Sequence, residues 1–221
     1  MSGIIVFGIG DFSDIVTYIL EEKLGIEVAA YTVNREYLES MADREWNHKM
    51  LLPFETIEEA CPPDRYEMAV GFIGKQMFRQ REAVFCQIRE KGYALCNVID
   101  PSACVDTEQI GEGNIILANT SIEHHCKVGD GNLIWQNVVL PHHNVVGSFN
   151  NLAPSVSLSG YSTIGDHCFV GNNSCIKNRV HIGNYAYIGA GSYIAKPVED
   201  NTVMVPHRSY RLEGKTGFDF L

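Results

Sequence analysis

The feature that most restricts the fold is a six-residue repeat in the second half of the chain. From Ile110 to Ile194 every sixth position is aliphatic, fifteen in succession without a slip in register. If about a quarter of residues were aliphatic, chance would give such a run about once in a billion trials. A parallel β-helix built from hexapeptides has this period, whereas an α-helix or a hairpin sheet does not. The sequence therefore predicts a parallel β-helix over residues 98–205, with its phase extending back to Cys104 and Val98.

The other hexad positions fit the same prism. The residue after the aliphatic one is glycine in seven of the fifteen hexads, and glycine relieves crowding at corners. The fifth residue is mostly small and is expected to point inward: Thr120, Cys126, Val138, Ser162, Cys168, Ser174 and Ala186. Because three hexads make one coil, residues 18 apart should lie above one another at a strand-pairing distance of about 4.8 Å. This regularity predicts about five to six coils.

Four of the eight histidines stand in two pairs that are one such coil apart. His124 and His142 should share one column, and His125 and His143 the next. Histidine exchanges a proton near neutral pH, which makes each pair a candidate general base. A ladder of surface imidazoles without a catalytic role is the alternative.

Residues 1–97 follow a different pattern, in which apolar strands alternate with helices. Strands are predicted at 3–10, 26–33, 66–74 and 94–99, and helices at 11–25 and 75–93. This alternation is typical of a small parallel α/β sheet.

The first predicted strand ends in the pattern GxGxxS, formed by Gly8, Gly10 and Ser13 with Asp11 between them. Glycines at this point let a phosphate approach the N-terminus of the next helix, for which Asp11 or Ser13 would be the cap. A tight turn that needs a positive φ explains the same glycines equally well.

Composition narrows the function. The formal net charge of −10 argues against nucleic acid as the main partner. No apolar run reaches the roughly 20 residues that cross a membrane, and no cleavable signal is evident. Seven cysteines without metal-binding spacing predict a reduced, cytoplasmic setting. Six basic residues gather in 177–221, which fits either a solvated tail or a site for a phosphorylated ligand.

An α/β domain followed by hexapeptide repeats resembles the sialic-acid O-acetyltransferase-type sugar acyltransferases. This family includes the N-acetyltransferases that act on UDP-linked 4-amino sugars in bacillosamine synthesis. The similarity is strong in the hexads and extends to "AVGFIGKQMFRQR" (69–81) and "NVIDPSA" (97–103). It implies a Rossmann-like nucleotide-binding domain at 1–97, a left-handed β-helix at 98–205 and a tail at 206–221. It also implies a homotrimer with active sites between neighbouring β-helices, and direct transfer from acetyl-CoA.

The family's catalytic base is a histidine that stands nine residues before a second polar residue. His124 has the more similar neighbours, but Leu133 stands nine residues after it. His142 is followed at that distance by Asn151, and the hexads after it continue as in the family, as if this chain contained one extra coil. The resemblance therefore implies that His142 is the base, with His124 as the fallback.

Two further catalytic residues follow from the resemblance. His143 stands where the family often has Glu, so the group that orients the base stays open. Gly160 matches the glycine whose N–H stabilises the oxyanion.

The resemblance also places the substrates. Acetyl-CoA is expected to contact seven residues of the C-terminal coils: Gly171, Asn172, Lys177, Gly189, Ala190, Lys196 and Arg208. The nucleotide-linked amino sugar is expected at Gly8, Gly10, Asp11 and Ser13. The second strand ends in "YTVNRE" without the family's usual paired Asp, so the base and the sugar cannot be predicted.

Three alternatives remain at this point. The acceptor atom could be a hydroxyl rather than an amine. The four paired histidines and His167 could bind Zn²⁺, as in carbonic-anhydrase-like β-helix proteins, although the acetyltransferase hypothesis expects no metal. The β-helix could also be a scaffold without catalysis.

Overall fold

The structure, a computed structural model, describes residues 3–40, 45–207, 209, 211–214, 216 and 218. An α/β domain is followed by a left-handed parallel β-helix, as the sequence predicts. In the part of the chain that is described, no helix has the length and apolarity needed to cross a bilayer.

The α/β domain is built on a sheet with the order β3-β4-β2-β1-β5, in which only β3 runs antiparallel to its neighbour within the described residues. Its strands are β1 (Ile4–Phe7), β2 (Val28–Val33), β3 (Glu45–Trp46), β4 (Lys49–Pro53) and β5 (Glu67–Val70). Its helices are α1 (Asp11–Tyr18), α2 (Arg35–Glu39), α3 (Ile57–Ala60) and α4 (Arg79–Glu90), with a π-helical turn at Ile19–Lys23 and a 3₁₀ turn at Phe54–Thr56. Because β2 and β5 flank β1, the strand order reverses there, and such a switch point opens a crevice at the carboxyl ends of the strands.

Two of the predicted elements differ from the structure. The strand predicted at 94–99 is divided, since Leu95 forms an isolated bridge to Met68 of β5 whereas Val98–Ile99 begin the β-helix. The helix predicted at 75–93 begins only at Arg79, because the three residues before it have positive φ angles that a right-handed helix cannot contain.

The β-helix has three faces made of two-residue strands. The first face contains Val98–Ile99, Ile115–Ile116, Leu133–Ile134, Asn151–Leu152, Phe169–Val170, Tyr187–Ile188 and Val203–Met204. The second face contains Cys104–Val105, Ser121–Ile122, Val139–Leu140, Ser157–Leu158, Cys175–Ile176 and Tyr193–Ile194. The third face contains Lys127–Val128, Val145–Val146, Thr163–Ile164 and His181–Ile182, extended by bridges at Ile110 and Val198.

The hexad pattern maps directly onto this prism. The repeated aliphatic residues from Ile116 to Ile194 are at most 4% exposed and form one continuous core. The small fifth residues point inward as predicted. The fourth residue of each hexad, from Gly113 to Gly191, turns a corner with φ between 56° and 74°. The glycines at the second position allow close approach between coils, because a β-carbon at Gly129 would lie 2.7 Å from the Gly147 oxygen.

The predicted phase is wrong by one residue in the first coil. Cys104 pairs with Ser121 and Val98 with Ile115, which are 17 rather than 18 residues apart. Cys104 is therefore exposed, and the inward positions are held by Ile99 and Val105. One residue is missing between Val105 and Ile110, where the interval is five instead of six.

The two domains share a buried contact centred on Arg81. Its guanidinium donates to the carbonyl oxygens of Val70 and Phe72 in the α/β domain and to Gly113 and Gly131 in the β-helix. No carboxylate among the described residues pairs with it, and burial lowers its pKa to about 9. The first face of the β-helix is thus joined to the α/β domain by a buried cation as well as by apolar packing.

Candidate active site

The four paired histidines meet at one corner of the prism, between the second and third faces. We call this the histidine corner. The ring centroids of His124 and His142 are 6.5 Å apart, and those of His125 and His143 are 4.8 Å apart. The two columns predicted from the 18-residue coil are therefore present. His142 is half-buried, whereas the other three are exposed.

Gly160 lies directly above His142, one coil further along. A β-carbon at Gly160 would stand 2.7 Å from Cε1 and 3.0 Å from Nε2 of His142, closer than such atoms pack. The imidazole thus occupies the space that a side chain would need. No acceptor among the described residues takes a hydrogen bond from the Gly160 N–H. An imidazole nitrogen and an unused N–H therefore stand side by side.

His143 provides a partner for the other ring nitrogen of His142. The two Nδ1 atoms are 3.2 Å apart, so one must carry the proton and the other accept it. Desolvation, and then repulsion from His125, His142 and His124, lowers the pKa of His143. A neutral His143 can accept from Nδ1–H of His142, which leaves the lone pair on Nε2 beside Gly160. A general base requires this tautomer.

A stack of side chains holds the His143 ring in place. His125 lies below it at 4.8 Å and Tyr161 above it at 4.6 Å, and the Arg179 guanidinium lies 4.7 Å over the Tyr161 ring. Sequence reasoning did not single out Tyr161 or Arg179. Their spacing of 18 residues from His143 and from each other would have placed them in this column.

His124 lacks the arrangement that surrounds His142. The position one coil above His124 is occupied by His142 itself, where His142 has the open Gly160. The neighbouring Glu123 instead accepts the backbone N–H of His142 at 2.9 Å. The two histidines of this column are therefore not equivalent.

Asn151 lies far round the prism from His142. It belongs to the first face, where it pairs with Leu133 and Phe169, and it is 5% exposed. Its Oδ1 has no hydrogen-bond partner among the described residues. Because the third face separates the two positions, the structure does not bring Asn151 and His142 together within one chain.

The residues predicted to bind acetyl-CoA fall into two groups. The backbone group, Gly171, Asn172, Gly189 and Ala190, lies together at the corner between the first and second faces, where a β-carbon on Gly171 would meet the Ala190 nitrogen at 2.5 Å. We call this the glycine corner. Lys177 and Lys196 lie instead in the coils above the histidine corner, and both are exposed. Arg208 is outside the described residues.

A cleft of about 250 Å³ opens at the switch point of the α/β sheet. Gly8 lines it at the end of β1, together with Asn34, Tyr37, Phe72 and Gln80. The sequence had pointed to Gly8 only. Asn34 could have been found from its place directly after β2, whereas Phe72 and Gln80 enter through the crossover after β5.

The other predicted nucleotide-binding residues lie beside the cleft rather than in its wall. Gly10, with φ of 120°, is the N-cap of α1, so the cap predicted at Asp11 or Ser13 is wrong. The Ser13 hydroxyl is buried and donates to the Gly10 carbonyl at 2.7 Å, and Asp11 is an exposed first-turn residue. A fully buried Ser13 is not placed to contact a phosphate.

His167 does not join the other histidines. It lies at the corner between the third and first faces, with Nδ1 3.0 Å from the Met77 carbonyl oxygen and Nε2 3.4 Å from Glu82. Within the described residues, no group of three or more His, Cys, Asp or Glu has a metal-binding arrangement. His167 and the four paired histidines thus do not form one site within a chain.

Comparison with known proteins adds to this geometry. Residues 109–142 and 161–196 match the family model described as bacterial transferase hexapeptide (six repeats). A histidine variant of perosamine N-acetyltransferase from Caulobacter crescentus, in complex with CoA and GDP-perosamine, has a TM-score of 0.82 and 22% identity, covering 93% of this chain and 94% of that one. No curated protein sequence matches the chain.

Two further solved structures have the same architecture. The acetyltransferase domain of PglB from Neisseria gonorrhoeae, in complex with acetyl coenzyme A, has a TM-score of 0.80 and 19% identity over 93% of this chain and 96% of that one. WeeI from Acinetobacter baumannii has a TM-score of 0.79 and 20% identity over 92% and 96%. The chain therefore carries bacterial transferase hexapeptide repeats, and its fold is the one that these proteins share.

Proposed function

We propose that the protein transfers an acetyl group from acetyl-CoA to the amino group of a nucleotide-linked amino sugar. The observation that carries this proposal is the pairing of the His142 imidazole with the open backbone of Gly160, beside a second imidazole that fixes the tautomer. The fold shared with acetyltransferases that are bound to CoA, acetyl-CoA or GDP-perosamine supports it.

The proposed chemistry is direct transfer. As the sugar amine attacks the thioester carbon, His142 Nε2 takes the proton that the nitrogen must lose. The carbonyl oxygen becomes an oxyanion, which the free Gly160 N–H can stabilise. When the adduct collapses, the C–S bond breaks and the protonated His142 returns its proton to the departing thiolate of CoA. His143 holds the imidazole and its tautomer throughout.

We further propose a homotrimer that brings the two groups of donor residues together. The outward side chains of the second face carry no charge in its described strands: Cys104, Ser121, Val139, Ser157, Cys175 and Tyr193. The glycine corner and the histidine corner form the two edges of this face. If three second faces surround a common axis, the glycine corner of one protomer meets the histidine corner of the next. The acetyl-CoA groove would then lie between protomers.

We propose that the acceptor's nucleotide occupies the switch-point cleft, as is general for open α/β sheets. The cleft lining offers amide and aromatic side chains of Asn34, Gln80 and Tyr37. A cytoplasmic location is proposed on the basis of seven free cysteines, which fit a reducing compartment.

The test is a panel of UDP-, dTDP- and GDP-linked amino sugars, each with its hydroxyl counterpart, incubated with acetyl-CoA while free thiol is measured. We expect thiol release with an amino sugar, which His142→Ala should abolish to within about 10²–10⁴-fold of the wild-type rate. His181→Ala, an exposed histidine on the third face, is the matched control and should keep full activity. Turnover only with hydroxyl sugars would instead establish O-acetylation. Full activity in His142→Ala would refute the assigned base.

A further inference from the structure

A groove of about 600 Å³ lies between the α/β domain and the upper coils of the β-helix, apart from the histidine corner and the switch-point cleft. Gln76 and Arg79 line it from the segment that begins α4. Tyr185, Tyr187 and Asn201 line it from the β-helix. Its volume is within the range of cavities that bind small molecules.

The segment before α4 is held in a strained conformation at the mouth of this groove. Gln76, Met77 and Phe78 have φ of 54°, 51° and 66°, a left-handed run that residues with side chains rarely adopt. Two contacts stabilise it: the Met77 carbonyl accepts from His167 Nδ1 at 3.0 Å, and the Phe78 ring is buried in the α/β core. Strain that the surrounding structure maintains is concentrated at ligand sites.

Two aromatic rings form the opposite wall. Tyr187 stacks on Phe169 at 4.9 Å, and Tyr185 stacks on His167 at 4.8 Å with parallel planes. Tyr187 nevertheless remains 40% exposed. Because the stacks already fix these rings, a planar ligand that packs against them pays little conformational entropy.

The groove is also positive in a chain whose net charge is −10. Arg79 is exposed and forms no ion pair with any described residue. No acidic residue lines the groove, and Glu82, one turn along α4, faces His167 at 3.4 Å. The amides of Gln76 and Asn201 add hydrogen-bond donors and acceptors. An anion with an attached planar ring matches this combination.

We propose that the groove binds a nucleoside phosphate, with the phosphate at Arg79 and the base against Tyr187. The inference rests on the proposed function in one respect, because both substrates of that reaction carry a nucleoside phosphate. The groove occupies the same face of the β-helix that ends in the glycine corner, which favours the adenosine end of the donor over the acceptor's nucleotide.

Direct binding to the full chain tests this site without using catalysis. Adenosine 3′,5′-bisphosphate, UDP and GDP are titrated separately by calorimetry at low salt. We expect the bisphosphate to bind, and Arg79→Gln to weaken it about tenfold. Tyr187→Ala should weaken it about fivefold or more, whereas Tyr187→Phe keeps the ring and should retain the affinity. Arg89→Gln, at the far end of α4, and Tyr193→Ala, on the second face, are the matched controls.

The outcomes separate the two substrates and the two proposals. Arg79-dependent binding of UDP or GDP instead of the bisphosphate would support the site but assign it to the acceptor. Equal affinities in wild type, Arg79→Gln and Tyr187→Ala, or no binding of any of the three, would overturn it. Acetyl transfer that persists in such a protein would leave the proposed function standing. Arg79-dependent binding without acetyl transfer would leave only the groove.

Discussion

Replacing Gly160 by alanine should disable the site without unfolding the protein. The added β-carbon would lie 2.7 Å from His142 Cε1 and 3.0 Å from Nε2, whereas carbon atoms pack at about 3.5–4.0 Å. The imidazole must therefore move by about 1 Å, and a displacement of this size can cost about 100-fold in rate. Gly160 does not have a positive φ, so alanine brings no backbone strain. We expect kcat for thiol release to fall about 100-fold with the melting temperature nearly unchanged.

A double-mutant cycle checks that the effect of Gly160→Ala passes through His142. If the methyl group acts by displacing the imidazole, it should have almost no further effect in a His142→Ala background, where the space is vacant. Ser159→Ala, at the neighbouring position, should leave kcat within about twofold of wild type. A wild-type kcat in Gly160→Ala, or full additivity with His142→Ala, would refute the proposed contact.

Other predictions concern charge and stability. By NMR titration His143 should bind its proton at a lower pH than an unperturbed histidine, and His125→Ala should raise its pKa by removing one source of repulsion; an unchanged or lower value would contradict the stacked geometry. Arg81→Leu should destabilise the protein by about 3 kcal/mol, a loss of about 6–12 °C in Tm, because buried carbonyls lose their donor; Arg89→Leu is the exposed control. Charge reversal at Lys177, Lys196 and Arg208 should raise KM for acetyl-CoA while sparing acceptor binding, and unchanged donor kinetics in all three would reject this placement.

The β-helix could be predicted from the sequence because each hexad repeats the same local demands. One aliphatic residue points inward, and one residue turns each corner, so every coil confirms the phase of the last. The first coil was mispredicted at Cys104 and Val98, since a single missing residue after Val105 leaves no local mark. The left-handed residues at the corners, such as Tyr161 and Arg179, also gave no signal, because they are not glycines.

The sites were less predictable because they depend on contacts between distant segments. The register of 18 residues aligned His142 with Gly160, and this could be foreseen. The Nδ1 contact between His142 and His143 depends on rotamers that no spacing fixes. The α/β cleft combines residues that follow three different strands, so only Gly8 was identified from its local pattern. Asn151 was assigned by its distance along the chain from His142, although the prism turns it towards another face.

The central claim is that His142, rather than its neighbour one coil below, is the general base. The most direct measurement compares kcat and KM for His142→Ala and His124→Ala with acetyl-CoA and an active acceptor. One coil displaces an imidazole by about 4.8 Å, beyond the ~2.6–3.2 Å reach of proton transfer. His142→Ala should therefore lower kcat by about 10²–10⁴-fold with acetyl-CoA affinity nearly intact, and His124→Ala should act mainly on acceptor KM, if at all. A large loss of kcat in His124→Ala with an active His142→Ala would contradict the account.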